Sequence, residues 1–217
     1  MKTCESEADL KSREQIVLMT ALGNIWNYRS NQFEQVLFFF DRGAQKTIIK
    51  EEIAVGFGLP MNKAEVCVMS GIGGHTEKFQ SSSVNIKISD AYGVEFDLEI
   101  HTKPVITNGF PSVKLTEIDK EFLQKNEINL CNPRVRSEHQ TPHILVGLDY
   151  YYNLVHDNGN KNTTPSGLHI AKTVFGPTLH GRGSLTCIKG QPDTVTYGLT
   201  AFVRLQRTRS ATKNVRA

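Results

Sequence analysis

Residues 36–49 read VLFFFDRGAQKTII: five apolar residues, then Asp41, then Arg42-Gly43-Ala44, then a second run ending at Ile48-Ile49. Both runs have the β-branched and aromatic composition of strands. A carboxylate at a strand end, followed by small residues, is presented on a tight turn with little steric cover. Gly43 opens backbone conformations closed to other residues. Taken alone, the segment also fits a carboxylate that merely caps a turn, so its reading depends on what lies downstream.

Two further segments carry information. Residues 68–79 read VMSGIGGHTEKF, where Gly71, Ile72, Gly73 and Gly74 interrupt a strand pattern on both sides. This predicts a mobile hairpin with a glycine tip, able to close over an extended substrate as lids do. Phosphate binding is a poor alternative, because no Lys-Ser/Thr pair or helix start follows the glycines. Residues 143–149 read HILVGLD, a buried strand that reaches Gly147 before a short helix, with Asp149 placed to cap Tyr150–Leu154.

Around these pieces, the runs IVLMTALGNIW, KTIIKEEIAV, EVCVM, VNIKI and VEFDLEI recur between turn signals and predict an all-β domain. Asp90-Ala91-Tyr92-Gly93 reads as the turn of a hairpin. Leu115–Gln124 reads as a helix with Leu115, Ile118 and Phe122 on one face and the acids Glu117 and Asp119 early. Asp157–Ser166, polar and rich in Gly, Asn and Thr, reads as a loop. The expected organisation is a disordered leader over 1–15, a folded domain over 16–185, and an extension over 186–217 with a basic tail.

Composition narrows the classes. The 217 residues, 39% hydrophobic and 22% charged, fit one soluble domain with tails. No stretch approaches the ~20 apolar residues of a membrane-spanning helix. The polar start MKTCESEADLKSRE is unlike a signal peptide, so an intracellular setting is expected. Cys4, Cys67, Cys131 and Cys187 form no CxxC pair or Cys/His spacing, which argues against structural zinc and against a disulfide framework. Cys67 has no Cys/His arrangement to make it a nucleophile, and His75 reads as a surface residue rather than a ligand. From Ala201 onward, Arg204, Arg207, Arg209, Lys213 and Arg216 stand with no acid. Such a tail either binds nucleic acid or is a solvated end; the latter is favoured, since no aromatic residue follows Phe202 for base stacking.

The order of the three segments resembles retroviral-type aspartic proteases: an apolar strand ending in Asp-x-Gly-Ala, a Gly-Ile-Gly-Gly hairpin, then apolar-apolar-Gly-x-Asp and a helix. FFFDRGAQKTII, HILVGLDYYYNLV and KTVFGPTLHGRG (172–183) are similar to the aspartic peptidase domain of Bel/Pao and Tas retrotransposons, over roughly Ile16 to Gly183. The resemblance implies a retropepsin-like closed barrel with a flap hairpin and one or two short helices. It also implies an aspartic endopeptidase acting on polypeptide, as a homodimer in which each copy supplies one catalytic Asp41. Gly43 and Ala44 would shape the active-site loop, Gly71 to Gly74 would form the flap tip, and no metal or cofactor would be needed. The setting implied is cytoplasmic, including element-derived particles. The resembling domains carry Ser or Thr where this chain has Arg42. An arginine cannot both donate and accept as a hydroxyl does, and a nearby cation is expected to favour ionised Asp41. Weak or absent proteolysis is therefore expected of the chain as it stands.

Overall fold

The computed structural model describes residues 13–156, 162–185 and 206–207. Its centre is a closed barrel of six strands: β2 (Thr20–Asn27), β3 (Gln32–Phe40), β4 (Ile48–Lys50), β7 (Ser83–Ser89), β8 (Glu95–Lys103) and β11 (Ile144–Val146), in the order β11-β3-β2-β7-β8-β4. Among the described residues strands far outweigh helices, which are few and short, as the alternation of apolar runs and turn signals predicts. Asp90–Gly93 makes the expected turn between β7 and β8. There the Asp90 carboxylate accepts the amides of Tyr92 and Val94, and Gly93 takes a positive φ of 84°.

The topology explains why VLFFF is apolar without alternation. Strand β11 lies between β3 and β4, parallel to the first and antiparallel to the second. Apolar clusters also pack on both faces of these strands, and continuous apolar runs result. Val36, Phe38, Phe40, Ile49, Ile144 and Val146 fill the barrel interior. Phe39, Ile48 and Leu145 point the other way, into a second cluster with Ala44. That outer cluster is covered by Leu18, Met69, Ile106 and Phe110.

Outside the barrel, β1 (Arg13–Val17), β14 (Gly176–Leu185), β13 (His169–Thr173) and β12 (Val155–His156) form a four-stranded sheet in that order. Strand β1 thus starts three residues inside the expected leader, held by pairing from Arg13↔Leu185 to Val17↔Gly181. The expected hairpin over 68–79 is present as β5 (Glu65–Ser70) and β6 (Thr76–Ser81), joined by one 3₁₀ turn at Ile72–Gly74. The stretch between β8 and β11 holds β9 (Phe110–Pro111), α2 (Glu117–Lys125) and β10 (His139–Gln140).

Three sequence readings need correction. KTIIKEEIAV is not one strand: after β4 the chain turns into the helix α1 (Glu51–Gly56), whose first turn carries Glu51 and Glu52, the charge preferred at a helix start. In α2 the buried face is Asp119 and Leu123, while Ile118 is 53% exposed. The helix is set by a capping box in which Thr116 and Asp119 satisfy each other's backbone amides. The last helix, α3 (Leu148–Leu154), starts at Leu148 with Gly147 as its cap, so Asp149 lies inside its first turn rather than capping it. Of the expected loop over 157–166, residues 157–161 lie outside the described residues, as do most of the leader and the basic tail.

Candidate functional site

Strand β3 ends at Phe40, and Asp41 opens the turn to β4. The turn is held by backbone: the Asp41 amide donates to Val146 O at 3.0 Å, and the Ala44 amide donates to Asp41 O at 3.1 Å. Ala44 is fully buried in the outer apolar cluster, which pulls the turn down on that side. Asp41 Oδ1 accepts the Gly43 amide at 2.9 Å. Its other oxygen, Oδ2, is buried and has no hydrogen-bond partner, the single such side-chain atom among the described residues. A buried acceptor without a partner costs about 1–3 kcal/mol, so the feature is not neutral. Burial pushes the carboxyl above its ordinary pKa, against a smaller opposing pull from the Gly43 amide.

Arg42 does not behave as its position suggests. It is exposed, and its guanidinium lies over the Tyr151 ring of α3, 5.3 Å from the centroid. The expected depression of the Asp41 pKa by this cation is absent, because burial prevails and Arg42 is turned to the ring. Tyr151 is itself buried and meets Phe40 edge-on at 6.2 Å. The apolar side of β3 thus holds the ring that holds the arginine.

The turn is braced from β11 and α3 by residues that sequence reading did not assign to the site. Thr47 Oγ1 donates to Asp149 Oδ1 at 2.7 Å and accepts the Gly147 amide at 3.0 Å. The Thr47 amide donates to Asp149 Oδ2 at 3.2 Å, and Lys46 Nζ adds an ion pair at 3.7 Å. Leu148 N donates to Ala44 O at 2.8 Å. Gly147 is needed for close approach: a Cβ there would lie 2.5 Å from the Lys46 carbonyl carbon. The sequence signals for this brace were Gly147 ending an apolar run and Asp149 two residues on.

The glycine hairpin is built as an open tip. Gly73 and Gly74 have φ of 80° and 79°, a region that favours glycine, and a Cβ on Gly74 would meet nothing within 4 Å. The Gly71 amide donates to His75 O, closing the end, and His75 is exposed. Two residues before the tip, Met69 packs against the cluster that contains Ala44. The arm leading to the tip and the turn carrying Asp41 therefore share one apolar cluster. The opposite arm is tied to the barrel by Lys103, whose ammonium pairs with Glu77 at 3.0 Å and donates to Val105 O at 2.9 Å.

No family model, curated protein or solved structure matches this chain. Among the described residues, no group of three or more His, Cys, Asp or Glu side chains could hold a metal ion. Cys67 is a buried thiol, and burial pushes the Cys131 thiol up to about 11, away from the thiolate form that reacts. No helix among these residues is long and apolar enough to cross a membrane.

Proposed function

We propose that this chain is one half of an aspartic endopeptidase of the retropepsin type, with Asp41 as its catalytic residue and a second copy completing the site. The observation that carries the reading is the Asp41 carboxyl: half-buried, held by one backbone amide, with an oxygen left unpartnered and a raised pKa. An aspartic peptidase needs a carboxyl that keeps a proton in company with one that has lost it. A second Asp41 brought close to this carboxyl would supply that company, because two close carboxylates share a proton rather than both ionise.

In this reading the ionised carboxylate takes a proton from a water molecule as its oxygen attacks the scissile carbonyl carbon. The protonated carboxyl gives its proton to the carbonyl oxygen, producing a neutral gem-diol. On collapse one hydroxyl proton returns to the carboxylate that had given up its own, the carboxyl that took the water's proton passes it to the leaving nitrogen, and the C–N bond breaks with the pair restored. The Gly71–Gly74 tip would cover the substrate, an extended polypeptide. No metal or cofactor takes part in these steps.

A second reading rests on Arg42. The fold would be kept as a dimerisation or binding module after losing catalysis, because no hydroxyl stands beside the carboxyl. Nucleic-acid binding through the basic tail, a further possibility from sequence, lies almost wholly outside the described residues. Incubating the chain with a denatured polypeptide at acidic and neutral pH, beside Asp41→Asn, separates the readings. Cleavage abolished by the substitution supports the peptidase, and light scattering should then report a dimer. A strict monomer at high micromolar concentration refutes the two-copy site.

A further inference from the structure

The third strand beside the glycine hairpin comes from far along the chain. Gln206–Arg207 (β15) pairs antiparallel with β5, in the register Gln206↔Val68 and Arg207↔Cys67, giving the order β15-β5-β6. The strap therefore lies on the arm whose Met69 packs against the Ala44 cluster, not on the arm tied down by Lys103. Without it, the outer edge of β5 would lose its pairing at Cys67 and Val68, beside Val66, which is 44% exposed. Such edges recruit extended chains, because main-chain groups give affinity whatever the sequence. In sequence, Val203 and Leu205 alternate with Arg204 and Gln206, the period-two pattern of a strand.

We propose that the outer edge of β5 is a docking edge for an extended polypeptide, occupied in the intact chain by its own segment at Gln206–Arg207. The strap and an incoming peptide compete for the same backbone groups, so the C-terminal segment is a built-in competitor for this edge. Only the further step, that a peptide bound there is presented to Asp41, rests on the peptidase reading.

The test uses backbone exchange, which does not depend on catalysis. Proline at both positions, Gln206→Pro with Arg207→Pro in the full chain, removes the amides a strand must donate. Amide exchange over residues 65–70 should rise roughly tenfold, as local opening becomes easier, while residues 83–103 of the barrel stay unchanged. A synthetic peptide of residues 201–213 added to that variant should restore protection, and the same peptide with both prolines should not. Unchanged exchange over 65–70 overturns the strap. A rise spread equally through the barrel overturns it as well, since the segment would then be supporting the fold rather than covering an edge. Failure of the added peptide to protect overturns the docking edge.

Discussion

Gly147→Ala tests whether the Asp41 turn is held by contact with β11 and α3. The new Cβ would stand 2.5, 2.6 and 2.8 Å from the carbonyl carbon, oxygen and nitrogen of Lys46. Carbon contacts are normally about 3.5–4.0 Å, so the methyl intrudes by roughly 1 Å. All three neighbours are backbone and cannot swing aside. Gly147 itself has φ −88° and ψ −179°, which alanine adopts freely, so the cost is steric rather than torsional. Overpacking of this kind costs about 1–3 kcal/mol. Separating the two segments also stretches the bond from the Gly147 amide to Thr47, adding ~1 kcal/mol. The expected loss is thus about 3 kcal/mol. Gly56→Ala is the matched control: it sits in α1 with nothing within 4 Å of its Cβ position, and should gain about 0.5–1 kcal/mol from helix propensity. Urea unfolding followed by the fluorescence of Trp26, the sole tryptophan, measures both. A Gly147→Ala protein within about 0.5 kcal/mol of the parent would refute the claim that this contact fixes the turn.

Three other substitutions probe neighbouring claims. Asp119→Asn should cost about 2–3 kcal/mol, because the buried carboxylate accepts from Thr116 on one oxygen and the Ser166 amide on the other, and an amide cannot replace both. Burial acts to raise the Asp119 pKa, but these hydrogen bonds outweigh it and lower the value. Its stabilising effect is therefore present above the unfolded carboxylate pKa and lost as pH falls through the folded one, so acid titration of stability should flatten in the variant. Asp41 has the opposite sign: its raised pKa favours folding at low pH and that contribution is lost as pH rises. Relative to the parent, Asp41→Asn should gain stability as pH rises from the ordinary carboxylate pKa through the raised one, and a constant difference across the acid range would contradict the burial argument. Arg42→Ser should lose about 0.5–1 kcal/mol of stability with the Tyr151 contact, yet raise peptide cleavage by supplying the missing hydroxyl. A serine variant that dimerises and still cleaves nothing would favour the binding-module reading.

The sequence was most legible where one physical requirement dominated. Residues 36–40, 48–49 and 144–146 had to be apolar on both faces, so their runs identify buried strands whatever their neighbours. The turn at Asp90–Gly93 was legible because Asp and Gly each meet a backbone need there. The helix α1 was not, because Ile48, Ile49, Ile53 and Ala54 continue the apolar run across the junction; only Glu51-Glu52 mark the change. The face of α2 was misread for a related reason. Periodicity weighs Ile118 as core, but the capping box turns Asp119 inward, where its hydrogen bonds outweigh its charge.

The direction of side chains is what a linear reading of the site could least supply, and Arg42 shows why that matters. Adjacency in sequence suggests a cation acting on Asp41, which would oppose a carboxyl that retains its proton. In the fold the two side chains obey different partners. Asp41 is held by the Gly43 amide and by burial, and Arg42 by a ring that β3 and α3 bring up from 109 residues away. The electrostatic objection to catalysis therefore falls away in the single chain, while the objection from the missing hydroxyl stands. Tyr151→Leu should release Arg42 towards the carboxyl and lower the Asp41 pKa, a shift that carboxyl titration by NMR would detect. An unchanged Asp41 titration in that variant would show that the ring does not control the arginine.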